Sequence, residues 1–443
     1  MRPGLVASAA TATKPSWPFP PDDPYRSYAA MRAEKPVHWS DDIGAWLVLS
    51  HAEALTVLRG PQWSADPRNS PELLARLGGD SPAGGLVRKI LFFTDPPEHD
   101  RLRRAVSRFF TPHRVELMRR RIASIVTAAF DAHQPGEDLD VLAEIAYPVP
   151  LAVICELLDV GVETAALVRA ETPAMAAMLD LLAPPEAQQR AASAALAQML
   201  ALVPIVAERR RAPGGDLLSA LLEVLEPDDA IVMALLLLAA GHETTANLIA
   251  NATLALGHHR DQLQLLRRYP ALVPTAIEEL LRWDSPVHVL RRVTLSSTTL
   301  AGQQLTRGDQ VAVVIGAANR DPAAFPDPDR LDVARPAPAH LAFGHGAHYC
   351  VGAALARAEA AEVLRRLTTT EWTLAASERA PSSTFRRLSQ LTVELLGRVP
   401  WISSGSRTGN RSTRPLWQPG RRGRTPDRTM VPSKQLPGPR GGP

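Results

Sequence analysis

The residues with the clearest chemical purpose lie near the end of the chain, in L-A-F-G-H-G-A-H-Y-C-V-G-A-A-L-A-R from Leu341 to Arg357. Gly344 and Gly346 punctuate an apolar run, and the Ala- and Leu-rich stretch after Cys350 predicts a helix. A cysteine at that junction has its sulfur beside the backbone N–H groups that open a helix, where a thiolate is stabilised. The glycines let backbone approach the sulfur, since no Cβ stands in the way. Phe343 is expected to cover one side of it and limit water. A free cysteine is more often a small core hydrophobe than a ligand, so the surrounding residues decide. One shielded, hydrogen-bonded thiolate suits the single axial position that a protein fills on a haem iron.

A second group stands in A-I-V-M-A-L-L-L-L-A-A-G-H-E-T-T-A-N-L-I-A, from Ala230 to Ala250. A helix apolar all round is a buried central helix, and Gly241, Glu243, Thr244 and Thr245 interrupt it. Glycine lowers helix propensity and a threonine hydroxyl bonds back to a carbonyl. A buried carboxylate is costly unless it is paired, hydrated or useful. Such breaches of local rules mark functional positions. His99 and Arg103, in D-P-P-E-H-D-R-L-R-R, are four apart and share a helix face. Glu279 and Arg282, in E-E-L-L-R, are spaced to pair on another.

The run from Phe343 to Gly352 resembles the haem loop of the cytochrome P-450 family, with Phe343, Gly344, Gly346, His348, Cys350 and Gly352 at the family spacing. A-G-H-E-T-T resembles that family's oxygen-activating motif, with Glu243 and Thr244 in the acid and alcohol places. Glu279 and Arg282 match its Glu-x-x-Arg pair, with Arg335 in D-V-A-R-P as third partner of a structural triad. The resemblance covers about residues 20–398. It implies a mainly α fold with a minor β region, and haem b between a long central helix and the cysteine loop. It further implies that His99, Arg103, Arg291 and His348 neutralise the haem propionates, and that Ala240 and Gly241 leave room for O2. Leu236, Ala240, Val287 and Val289 are the expected pocket residues, and their apolarity points to a hydrophobic small molecule.

Around these motifs, periodicity predicts a helix through Y-R-S-Y-A-A-M-R, short strands near Val37–Trp39 and Ala45–Leu49, and a helix over Ala52–Leu58. The stretch from Gly60 to Gly85, broken by prolines and glycines, reads as a lid or binding loop. Residues 112–211 read as mostly helical, with two long helices between Glu163 and Arg210 joined near Pro184 and Pro185. Turn signals at A-G-Q and R-G-D predict hairpins between Thr294 and Ile315.

Residues 1–20 are expected to be poorly ordered, residues 21–400 to form the catalytic domain, and residues 401–443 to be a disordered basic tail. That tail holds nine Arg or Lys against Asp427, so it carries +8 and leaves −5 on the rest of a chain whose net charge is +3. The basic character therefore gives no reason to expect nucleic acid as a partner. Two cysteines, Cys155 and Cys350, point to a reducing cytoplasm, with Cys155 a buried structural thiol. The strongest apolar run, Ala230–Ala240, is shorter than the roughly 20 residues a bilayer needs, so no membrane anchor is expected and the chain looks like the soluble bacterial branch of the family. A monomer is expected.

No nucleotide-binding G-x-G-x-x-G and no iron–sulfur cysteine set appears. The resemblance therefore implies a ferredoxin and an NAD(P)H-dependent reductase, with Arg101, Arg104 and Arg108 as candidate ferredoxin contacts. A peroxide-dependent haem-thiolate enzyme and a non-catalytic haem-binding sensor are the alternatives on the same scaffold.

Overall fold

The apolar run after Glu226 folds into an unbroken helix of 32 residues, Pro227–His258, against which many of the other described helices pack. Pro227 opens it and Asp228 and Asp229 occupy its first turn. A proline there loses no helical hydrogen bond, and the two carboxylates face the positive end of the helix dipole. From Ala230 to Leu238 every residue but Leu236 is buried. The computed structural model describes residues 22–399 except 80, 82–83, 86–87 and 337–338. The readings of residues 1–20 and 401–443 as disordered fall outside the described residues.

The architecture is mainly helical with a minor β region. Glu98–Ser107 carries His99 and Arg103, with Glu98 and Asp100 in its first turn. Val162–Ala176 and Pro185–Arg211 are the two long helices foreseen around Pro184 and Pro185. Five strands form the larger sheet in the order Val37–Ser40, Ala45–Val48, Gln310–Val314, Val289–Thr294 and Trp63–Ser64. Only the Ala45–Val48 and Gln310–Val314 pair is parallel. A second sheet of Asp138–Asp140, Leu388–Arg398 and Thr370–Arg379 has no counterpart in the sequence reading. The stretch from Gly60 to Gly85 contains a short strand, the turn Pro67–Asn69 and the helix Pro71–Arg76.

By length and composition two helices are apolar enough to cross a membrane, Glu186–Arg211 and Pro227–His258, which corrects the expectation that no segment is long enough. In the central one, 72% of the most apolar window is buried inside the fold, so its composition is that of a core helix. Its neighbour Pro148–Leu158 packs Ile154 against Gly241 at 3.7 Å from where a Cβ would stand.

Helix Val273–Trp283 presents two consecutive acids to two different parts of the chain. Glu279 accepts hydrogen bonds from Arg282 Nε at 2.7 Å and Nη2 at 2.9 Å, both side chains fully buried. It also accepts from the Asp332 amide at 3.0 Å, and Arg335 Nε makes ion-pair contact at 3.1 Å. Arg282 in turn donates to the carbonyls of Asn319 and Pro328. This is the triad expected from sequence, and it pins the proline-rich segment that leads into the cysteine loop. Glu278, which the sequence reading passed over, accepts from Arg357 Nε at 2.7 Å and Nη2 at 2.9 Å and contacts His340 Nε2 at 3.2 Å.

Two outcomes follow from this pair. Replacing Glu279→Gln strands the buried Arg282 charge, and we expect a loss of about 3–5 kcal/mol in urea unfolding of the haem-free chain; a loss below about 1 kcal/mol would mean that the cluster does not hold the segment. For Glu278, burial raises the carboxyl, but Arg357 and His340 outweigh it and hold it at about 2, below its ordinary 4.5. A carboxyl depressed in the folded state stabilises fully above its unfolded value, and that stability drains away as pH falls from about 4.5 to about 2. Glu278→Gln should therefore remove roughly 2–3 kcal/mol at pH 7 and flatten the acid limb of the stability profile in that window; a parallel acid limb in the variant would contradict the assignment.

Candidate active site

The cysteine loop is a tight backbone hairpin. Gly344 donates its amide to the Leu341 carbonyl at 2.8 Å, and Cys350 donates to the Phe343 carbonyl at 2.9 Å. Gly344 and Gly346 have φ of +68° and +72°, values at which a Cβ is strained. At Gly346 a Cβ would also stand 2.4 Å from the Leu58 carbonyl oxygen. The close approach that this glycine allows is thus to the helix His51–Arg59, and Gly352 is the glycine beside the sulfur. Helix Ala353–Thr369 starts immediately after it.

The Cys350 thiol is exposed to an internal slot, not to bulk solvent. Burial pushes its pKa up, while the Gly352 amide and the charges of Arg103 and Arg357 pull it back. Phe343 lines the same slot, and its ring carries the Arg357 guanidinium 4.4 Å from the centroid. Glu278 therefore steadies the loop through Arg357. Cys155, by contrast, is buried among apolar side chains and pushed up to about 12, as a structural thiol would be.

The slot has a volume of about 270 Å³ and lies between the central helix and the cysteine loop. Ala240, Gly241 and Thr244 form one wall, and Phe343, Gly344, Cys350 and Gly352 the other. His99 and Arg103 line it together, as their spacing predicted. The His99 and His348 rings lie 4.3 Å apart, centre to centre. His99 is 2% exposed, and its Nε2 has no hydrogen-bond partner. Burial pushes His348 down to about 3, and Arg292, His99 and Arg103 press it further the same way.

Arg291 does not belong to this group. The strand alternates its faces, and Arg292 is the residue that acts on His348. Both arginines line the adjoining cavity and neither lines the slot itself, but Arg291 lies close to Arg76 and Asp180. The sequence reading chose the wrong member of an adjacent pair, because nothing in R-R fixes which arginine faces inward. With that correction the donor set fits a haem: a thiol at one wall, apolar surfaces for the macrocycle, and Arg103, Arg292 and two imidazoles for its carboxylates.

Above the slot is a second cavity of about 290 Å³, which shares Phe92, Leu236, Ala240, Thr244, Val287, Leu290 and His348 with it. Leu236, Ala240, Val287 and Val289 all line it. Glu243 does too; it is 4% exposed, its Oε1 accepts from Asn247 Nδ2 at 3.2 Å, and its Oε2 has no partner. Burial raises its carboxyl, with Arg387 and Asn247 acting in the opposite sense. The Thr244 hydroxyl donates to the Ala240 carbonyl at 2.7 Å, as a mid-helix threonine tends to. Thr384 and Phe385, ahead of the last strand, also line the cavity, and no sequence signal marked them.

The proposed ferredoxin contacts divide. Arg101 donates to Glu98 and, at 2.6 Å, to Asp229, so it ties its helix to the central one. Arg108 donates to the Ala220 carbonyl at 2.6 Å and lies over the Phe109 ring. Arg104 is exposed.

Residues 228–370 match the family model for cytochrome P-450. The chain is 40% identical over 360 residues to the cytochrome P-450 monooxygenase PikC of Streptomyces venezuelae, covering 78% of this chain and 83% of that one. It is 37% identical over 359 residues to 6-deoxyerythronolide B hydroxylase of Saccharopolyspora erythraea, covering 78% and 88%. Among solved structures, P-450 BioI bound to an acyl carrier protein carrying hexadec-9Z-enoic acid superposes with a TM-score of 0.80 at 31% identity, over 85% of this chain and 98% of that one. Sequence, fold and a cysteine-walled slot agree, and the protein belongs to the cytochrome P-450 family as a haem-thiolate monooxygenase with haem b as its cofactor.

Proposed function

We propose that this enzyme hydroxylates or epoxidises an apolar small molecule, using electrons from a ferredoxin and its NAD(P)H-dependent reductase, with Cys350 as the residue that would hold the haem iron. The observation that carries the reading is the apolar cavity that opens onto the slot and receives Glu243 and Thr244 from one helix. Relatives named vitamin D(3) 25-hydroxylase and 6-deoxyerythronolide B hydroxylase, and solved relatives bound to tirandamycin C and epothilone D, support an apolar substrate of this kind. Two free cysteines fit a reducing cytoplasm.

When bound, the haem supplies activation of O2 and transfer of one oxygen atom to carbon. The chain supplies the rest. Cys350 would hold the group and donate electron density to it, while Arg103, Arg292, His99 and His348 would hold its carboxylates. Ala240 and Gly241 keep side-chain bulk away from the wall where O2 must lie. Thr244 donates its hydroxyl hydrogen bond to the Ala240 carbonyl, and an acceptor placed in the cavity competes for that same donor. Burial raises the Glu243 carboxyl, and its Oε2, which has no hydrogen-bond partner, is the atom placed to carry a proton toward the cavity. Arg104 is the one exposed, uncommitted arginine of the three foreseen for ferredoxin, and it carries that part of the reading alone.

The test is turnover of the haem-loaded full chain with ferredoxin, reductase, NADPH and labelled O2 over a panel of apolar compounds. We expect one labelled oxygen atom in the product. In Thr244→Ala we expect NADPH consumption within about twofold of wild type but product reduced by about tenfold or more, with peroxide released instead. Equal product yield from the variant would contradict the role of Thr244. Turnover with peroxide but not with the electron chain would favour the peroxide-dependent alternative.

A further inference from the structure

The larger cavity is mostly apolar, with Glu243, Thr244, Arg292 and His348 on its wall and a second charged group among the residues that the haem slot does not share. In that group Arg76, from helix Pro71–Arg76, and Arg291, from strand Val289–Thr294, line the wall together with Asp180. Asp180 is already supplied with neutral donors: the Ser382 hydroxyl at 2.6 Å, the Ser383 amide at 3.0 Å, the Leu182 amide at 3.1 Å and the Ser383 hydroxyl. Arg76 spends one nitrogen on the Leu181 carbonyl. Among the described residues Arg291 has no ion-pair partner and no side-chain hydrogen bond. In this group two guanidiniums thus face one carboxylate, a local surplus of one positive charge, while Arg292 on the same cavity wall lies toward Asp95 and His348.

A buried cation without a partner is strongly disfavoured unless one arrives. The haem carboxylates are not that partner: Arg103 lines the slot and Arg292 is near enough to act on His348, which also lines it, whereas Arg291 does neither and has Arg76 and Asp180 as its charged neighbours. A guanidinium fork matches a carboxylate in two parallel hydrogen bonds, and one negative charge balances the surplus. We propose that the substrate is an apolar carboxylic acid, whose carboxylate is bound by Arg291 with Arg76 beside it while its hydrocarbon body extends toward the haem. Burial and the nearby Arg76 lower Arg291 only to about 9, so it is cationic at neutral pH. The inference rests on the reading of this cavity as the substrate site.

The test is equilibrium binding to the haem-loaded full chain of straight-chain acids from octanoic to hexadecanoic, each against its methyl ester. Affinity is read from the haem spin-state change and separately by calorimetry. The best acid should bind at least about tenfold more tightly than its ester, the scale of a charged hydrogen bond. In Arg291→Gln the two should agree within about twofold, Arg291→Lys should keep part of the preference, and Arg76→Gln should weaken the acid alone. Circular dichroism and haem content check that each variant is folded. Should no acid exceed its ester, or should folded Arg291→Gln retain the preference, the proposal is overturned. Calorimetric preference for the acid that needs Arg291 but brings no spin-state change would uphold carboxylate binding and instead overturn the reading of the cavity as the site of oxidation.

Discussion

Two neighbouring glutamates on one helix hold the reactive loop in place, and the rest of the site is built on that restraint. Glu279 fixes the segment before the loop through Arg282, Arg335 and the Asp332 amide. Glu278 fixes the helix after it through Arg357, whose guanidinium lies against Phe343 on the slot wall. Consecutive helix positions point about 100° apart, so one helix reaches both flanks of the same loop. A thiolate ligand needs its sulfur placed within a fraction of an ångström, and charged pairs in a dry interior give firmer placement than apolar contact. Glu279 and Arg282 are fully buried, so neither can be removed without stranding the other.

The cations of the interior are sorted by the alternation of a single strand. Both Arg291 and Arg292 line the cavity above the slot, but Arg292 is near enough to His348 to act on it and Arg291 has Arg76 and Asp180 as its charged neighbours. The strand Val289–Thr294 is held in register by Gln310–Val314, with Arg291 opposite Ala312 and Arg292 opposite Val311. A slip of one residue would exchange the two. The same sheet therefore sets both where the cofactor's charge is met and where the substrate cavity becomes polar.

Much of the site was legible because its signals are local. The thiol before a helix, the i,i+4 pair His99 and Arg103, and Glu279 with Arg282 each need only a short stretch of chain, and each came together as read. The polar interruption of the central helix was equally plain, since nothing about stability alone explains Glu243 in that run. What could not be read depends on contacts between distant segments. Arg101 and Arg108 looked like free surface cations until Asp229 and the Ala220 carbonyl were placed beside them. The choice between Arg291 and Arg292 needed a sheet register. Gly346 was assigned to the sulfur, whereas its conformation serves a close approach to Leu58, nearly three hundred positions earlier in the chain. The hairpin of Thr370–Arg379 and Leu388–Arg398 lies beyond the motifs and was not read despite the Pro and Ser residues between its strands, and with it went Thr384 and Phe385.

The proposed function rests on one bond, between the Cys350 sulfur and a haem iron. The absorption difference spectrum of the reduced, haem-loaded protein on adding carbon monoxide reports that bond directly, because thiolate and imidazole ligands give well-separated bands. The account predicts the thiolate band in the wild-type chain and its loss in Cys350→Ala. An imidazole-type band in the wild type, or a thiolate band that survives the substitution, would contradict it.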